Sequence, residues 1–113
     1  MAAVRAFAFD ASTGKQRWRY ESGKPMIGAV TATSGDVLFT GEMTNDFLAL
    51  DAKTGQVLYH YNVGAPIAGG VVTYRVKDKQ YVAVVSGFVG AYNMMAPEIG
   101  GGTPTVTVFA LKE

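Results

Sequence analysis

The sequence predicts an all-β fold, about two to three four-stranded antiparallel blades of a partial β-propeller. Three observations carry that prediction. Residues 6–30 laid on residues 47–71 agree at ten positions, with Asp10 and Asp51 standing 41 residues apart; a period near forty with short strands in each unit marks propeller blades. The strand-like segments are short and bounded by Gly, Asp, Ser and Pro, the residues of tight turns. No segment carries the long 3.6-residue apolar period that a helical repeat of this length would need.

The elements follow in order. Residues 4–9 read as a strand, 10–15 as a turn and 16–20 as a second strand, with a loop over 21–25. Residues 26–33 are apolar and partly β-branched, as a buried strand would be. Ser34-Gly35-Asp36 turns the chain into a strand over 37–41, and 43–46 form the next turn. Strands over 47–51 and 56–62 follow, then a linker over 63–66. Residues 70–76 and 80–86 make a hairpin across Lys77-Asp78-Lys79, residues 88–104 a long Gly/Met/Pro-rich loop, and 105–111 the last strand. These nine strands group as two, four and three. On that grouping residues 1–23 end one blade, 24–63 make a complete blade and 64–113 begin the next. Closed propellers have roughly 4–8 blades, so this much chain cannot close a ring.

The repeat itself has a physical reading. Ala8-Phe9-Asp10-Ala11-Ser12-Thr13-Gly14 returns as Ala49-Leu50-Asp51-Ala52-Lys53-Thr54-Gly55. The Asp carboxylate can accept hydrogen bonds from amides further along the turn, and the Gly can take a positive φ. Trp18 or Tyr59 follows on the returning strand. Its ring is expected to lie against the next repeat, where the small Ala leaves room. Val108-Phe109-Ala110-Leu111 matches Phe47-Leu48-Ala49-Leu50, with Lys112 at the position of the turn Asp.

Bulk composition narrows the function. Of 113 residues, 49% are hydrophobic and 17% charged, so a packed core is expected. The net charge of +1 and scattered Lys and Arg argue against a nucleic-acid partner. Cysteine is absent, which excludes disulfides and thiolate metal sites. No apolar run approaches the roughly 20 residues of a membrane span. Met1-Ala2-Ala3-Val4-Arg5 leads into a strand with no signal-peptide pattern.

The candidate chemical residues are few. Asp10 and Asp51 could form an acid–base pair, but their equivalent places in the repeat favour turn capping. Glu42 and Asp46 flank a turn and are expected to be solvated. His60 is the only histidine, so no zinc cluster is available, and its place in a strand suggests exposure. Gly100-Gly101-Gly102 lacks the Lys-Ser/Thr and helix of a phosphate loop and reads as a linker. Met94-Met95 could line an apolar surface. Ser34 and Ser86 lack the context of a nucleophilic serine. No residue in this stretch is expected to be catalytic or to bind a metal.

Several segments together resemble one family. Ala-x-Asp-x-x-Thr-Gly-x-x-x-Trp over residues 8–18 looks like the tryptophan-docking motif of the pyrroloquinoline-quinone (PQQ) dehydrogenases. Thr31-Ala32-Thr33-Ser34-Gly35-Asp36-Val37-Leu38-Phe39-Thr40-Gly41 is similar to their Ala-Thr-Ala-Gly-x-Leu-Val-Phe-x-Gly segment, and Lys79-Gln80-Tyr81-Val82-Ala83-Val84 to their Gly-Lys-Gln-Tyr-Val-Ala-Val segment. The resemblance implies a C-terminal segment of an eight-bladed quinoprotein alcohol dehydrogenase. It further implies PQQ and calcium in the parent enzyme and an alcohol or sugar substrate. Electrons would pass to cytochrome c or ubiquinone, and the enzyme would be periplasmic. The segment's partners would be the remaining blades, and its role ring closure and part of the cofactor chamber wall. The family's catalytic Asp, calcium ligands and quinone-sandwiching residues belong to earlier blades. Family members often carry a PQQ-contacting Trp just before the Ala-Thr-Ala-Gly run. Here that stretch reads Pro25-Met26-Ile27-Gly28, so Ile27 and Gly28 are the implied cofactor-side residues. The alternative is a non-enzymatic PQQ-like propeller that serves as a protein-binding scaffold.

Overall fold

The computed structural model describes residues 4–87 and 103–110. Its nine strands are β1 (Val4–Phe9), β2 (Gln16–Ser22), β3 (Thr31–Ala32), β4 (Val37–Gly41), β5 (Asp46–Asp51), β6 (Val57–Asn62), β7 (Val71–Val76), β8 (Lys79–Ser86) and β9 (Thr105–Ala110). They form three antiparallel sheets, β1-β2, β3-β4-β5-β6 and β7-β8-β9. The described residues contain no helix. The partial propeller expected from the repeat is the fold observed.

The repeat appears in the ladders. Ala8 pairs with Trp18 and Ala49 with Tyr59, and in both hairpins the register shifts just after that alanine. Lys77 and Asp78 both take positive φ, 50° and 66°. They make the two-residue loop between β7 and β8, a turn whose twist matches the strands it joins.

Strand β5 explains how the sheets stack. Side chains alternate across a strand. Leu48 and Leu50 point to the first sheet and pack with Trp18, Ala8, Tyr20, Met26 and Leu38. Phe47 and Ala49 point to the third sheet and pack with Phe39, Ile67, Val71, Val82 and Val84. Both faces are covered, which is why Phe-Leu-Ala-Leu is apolar without alternation. Each Leu or Phe so buried is worth roughly 1.5–3 kcal/mol. Phe47 also stacks on Phe109 of the third sheet, with centroids 4.6 Å apart.

Two expectations need correction. The strand expected over residues 26–33 shrinks to Thr31–Ala32. Ahead of it the backbone bonds to the linker that leads into β7 instead: Ala29 N–H donates to Gly69 O at 3.1 Å. The match of Val108-Phe109-Ala110-Leu111 to Phe47-Leu48-Ala49-Leu50 is also offset. Val82 faces Phe109 as Leu38 faces Leu50, and Met43 and Gly87 both donate to the equivalent prolines Pro25 and Pro66. By register, Phe109 therefore stands at the place of Leu50. Leu111 and Lys112 lie outside the described residues.

Candidate functional site

The Asp-x-x-Thr-Gly turns come first because they set the sheet spacing. Asp10 Oδ1 accepts from the Ser12 and Thr13 amides at 2.9 and 3.0 Å, and Asp51 Oδ1 from those of Lys53 and Thr54 at 2.8 and 3.2 Å. Those amides hold the Asp10 carboxyl below the usual carboxylate range. Both aspartates are committed to their turns.

The Trp18 ring lies against the second sheet, and its Nε1 donates to Ala52 O at 2.8 Å. The room for the ring comes from Gly55 rather than from the alanine. A Cβ at Gly55 would stand 2.5 Å from Trp18 Cε3. Gly55 has φ 76°, so glycine is needed there twice over, for conformation and for space. Tyr59 lies farther out, half exposed and edge-on to Phe47 and Phe109.

The opposite end of the sheets holds the residues implied to face a cofactor. Ile27 is 42% exposed. Gly28 faces the Ile67 carbonyl, which would stand 3.2 Å from an added Cβ, so glycine here lets the loop lie against the linker ahead of β7 without crowding. Ile27 offers an apolar cover of the kind a flat aromatic ligand needs. Among the described residues no group of three or more His, Asp or Glu could hold a metal ion.

Beside this loop sits a polar cluster that sequence reasoning missed. Glu42 was expected to be solvated, yet it is 5% exposed. Tyr20 Oη donates to Glu42 Oε1 at 2.6 Å and Thr44 Oγ1 donates to Oε2 at 2.7 Å. The Tyr20 hydroxyl therefore joins the first sheet to the second. Partial burial and the Glu42 charge push the Tyr20 phenol well above its ordinary range. The Glu42 carbonyl accepts from Ile67 N–H at 3.1 Å, which extends the tie to the linker ahead of the third sheet. Repeat equivalence of Tyr20 and Tyr61 was the available signal, but it does not reveal a buried partner.

Ser86 occupies the place of Glu42 one repeat on. It is 1% exposed and its Oγ has no hydrogen-bond partner among the described residues. His60 and Ser34 are exposed, as is Asp36, which pairs with Lys53 at 3.4 Å. Met94, Met95 and Gly100-Gly101-Gly102 lie outside the described residues. A polar cleft of about 400 Å³, lined in part by Thr33, Thr73, Arg75 and Gln80, opens between the second and third sheets. An apolar one of about 380 Å³ lies between Tyr59 and Phe109.

Comparisons with known proteins bear on this geometry. A family model described as outer membrane protein assembly factor BamB matches residues 3–95. The quinoprotein alcohol dehydrogenase PedH of Pseudomonas putida is 36% identical over 92 residues, 81% of this chain and 16% of that protein. The 1-butanol dehydrogenase (cytochrome c) of Thauera butanivorans is 36% identical over 108 residues, 95% of this chain and 16% of that one. Among solved structures, the quinohemoprotein alcohol dehydrogenase from Comamonas testosteroni superposes with a TM-score of 0.82 at 29% identity, over 96% of this chain and 16% of that one. A europium-containing methanol dehydrogenase gives a TM-score of 0.78 at 30% identity, over 95% and 23%. The chain spans about one sixth of the length of the curated relatives it matches.

Proposed function

Because the chain belongs to the PQQ-like β-propeller repeat family, we propose that it is part of a PQQ-dependent dehydrogenase that oxidises an alcohol or sugar. Its electrons would pass to a cytochrome or a quinone, and its compartment would be the periplasm. Residues 1–23 would end one blade, 24–63 form a whole blade and 64–113 begin another, toward the C-terminal part of an eight-bladed ring. The observation that carries this reading is the run of likeness over 95% of the chain to a butanol dehydrogenase, backed by a 0.82 superposition on a quinohemoprotein alcohol dehydrogenase.

When bound, PQQ supplies the redox chemistry, aided by calcium or by a lanthanide such as the europium of the methanol dehydrogenase. This chain's own residues position and enclose. Ile27 would offer the cofactor an apolar contact, and Gly28 lets its loop lie tight on Ile67. The Tyr20–Glu42–Thr44 cluster fixes the turn beside that loop, and Trp18 sets the distance between the first two sheets through the docking motif of the family. The missing faces of the outer sheets would be covered by the remaining blades. Phe7, Phe9, Tyr59 and Tyr61 are each about half exposed or more, as residues awaiting a neighbour would be.

Reconstitution tests the reading. The complete gene product with PQQ and calcium should reduce an artificial electron acceptor when given a primary alcohol. No reduction over a broad panel of alcohols and sugars, with calcium or a lanthanide, would count against it. The description of the matching family model as an assembly factor favours a second reading, a non-enzymatic scaffold that binds protein partners. That reading requires a full-length gene without quinone-sandwiching and metal-binding residues in its other blades.

A further inference from the structure

The facing sides of the second and third sheets are closed at one end and part at the other. Side chains alternate along β7 and β8, so Val71, Thr73 and Arg75 share a face with their cross-strand partners Val84, Val82 and Gln80. Toward the Ile27 loop this face is apolar and shut: Val71, Val82 and Val84 are buried with Phe39, Phe47 and Ala49. Toward the β7–β8 turn it becomes polar, and the cleft of about 400 Å³ opens there. Val37 and Phe39 line it from the second sheet, with Ser34 on its rim; Thr73, Arg75 and Gln80 line it from the third. The polar wall is only half used. Gln80 Nε2 donates to Thr73 Oγ1 at 2.8 Å, and Thr73 Oγ1 donates in turn to Tyr81 O at 3.0 Å. These bonds fix the Gln80 amide and leave it a second N–H to give. Arg75 is exposed and forms no ion pair among the described residues. Asp36, next to the rim, is taken by Lys53 at 3.4 Å, and Asp78 stands between Lys77 and Lys79.

We propose that this cleft binds a small carboxylate carrying a short apolar chain. The Arg75 guanidinium is a planar fork that matches the two oxygens of a carboxylate, and Gln80 adds a further N–H. The chain of the ligand lies along Val37 and Phe39. An apolar wall with a few convergent polar groups is the usual make-up of a small-molecule site. A bare anion leaves that wall wet, and an amine meets Arg75 as a like charge. The cleft is remote from the implied cofactor residues. Gly69 lies beside Gly28, and six residues of extended chain lead from it to Arg75, about 20 Å at roughly 3.3 Å per residue. Both walls belong to this chain, so the site does not depend on the dehydrogenase reading. A failed dye assay leaves it standing, and a failed carboxylate titration leaves the redox reading standing.

The test is saturation-transfer NMR on the complete gene product at neutral pH, with butanoate and separately with butylamine. Butanoate should receive saturable transfer along its chain and butylamine none. Equimolar inorganic phosphate should displace little of the butanoate, and equimolar 1-butanol none. Arg75→Gln should abolish the transfer with the thermal melt unchanged. Arg75→Lys keeps the charge without the fork, so it should weaken butanoate at least severalfold. Lys77→Asn removes a neighbouring charge outside the cleft and keeps the positive φ, since Asn tolerates that region; it should leave the transfer intact. No transfer, equal transfer to butylamine, or full displacement by phosphate would overturn the proposal. So would displacement by 1-butanol, which places the ligand at an alcohol site, or equal losses in Lys77→Asn and Arg75→Gln, which reduce it to diffuse charge attraction.

Discussion

The Trp18 indole covers Gly55 so closely that its Cε3 stands 2.5 Å from where a side chain would begin, while its Nε1 donates to Ala52 O at 2.8 Å. One glycine and one carbonyl thus fix how the first sheet meets the second. Replacing the ring by Trp18→Ala should cost roughly 3–5 kcal/mol in urea unfolding of the chain. Trp18→Phe should cost less, since it keeps ring area and loses the hydrogen bond. Gly55→Ala should destabilise more than Gly14→Ala, because both strain the backbone but only residue 55 meets a ring.

The Tyr20–Glu42 bond joins the same two sheets through polar atoms. Tyr20→Phe leaves the buried carboxylate one donor short and should cost about 1.5–3 kcal/mol, the usual worth of a hydrogen bond to a charged group. The coupling between Tyr20→Phe and Glu42→Gln in a double-mutant cycle measures the bond itself.

Tyr20 also makes a pH prediction with a definite sign. Its phenol is raised in the folded chain, through burial first and Glu42 second. The unfolded chain then releases this proton first, from about pH 10 upward. Stability from this group is full below that pH and is lost as pH rises toward the folded value. Urea midpoints measured from pH 9 to 11 should fall more steeply in the parent chain than in Tyr20→Phe.

Gly41 lies under Ile67, whose Cγ2 would stand 2.2 Å from an added Cβ. Gly41→Ala should therefore destabilise by about 1–3 kcal/mol through overpacking. Ile67→Val in the same chain should recover part of the loss, which a thermal melt of the three variants can check.

Ser86 makes the opposite prediction. Its hydroxyl is buried and unpaired among the described residues. Ser86→Ala removes a polar atom that has no partner among the described residues, so it should be neutral or stabilising in denaturant unfolding. Glu42→Ala, at the equivalent place one repeat earlier, should be clearly destabilising because it strips Tyr20 and Thr44 of their acceptor.

Much of this protein was readable from local chemistry. The forty-residue repeat, the capped Asp-Thr-Gly turns and the short apolar runs dictated strands and their grouping, because each depends on residues a few positions apart. What depended on distant neighbours was not readable. Residues 26–30 look like a strand, but Ala29 finds its backbone partner in Gly69, on the linker ahead of the third sheet. Glu42 reads as a turn carboxylate, and only the arrival of Tyr20 from 22 residues away buries it with a partner. Alanine looked like the source of space for the indole, while the stacking assigned that task to Gly55. A one-dimensional repeat records which positions are alike. The packing of one sheet on the next decides which of those positions are filled, and by what.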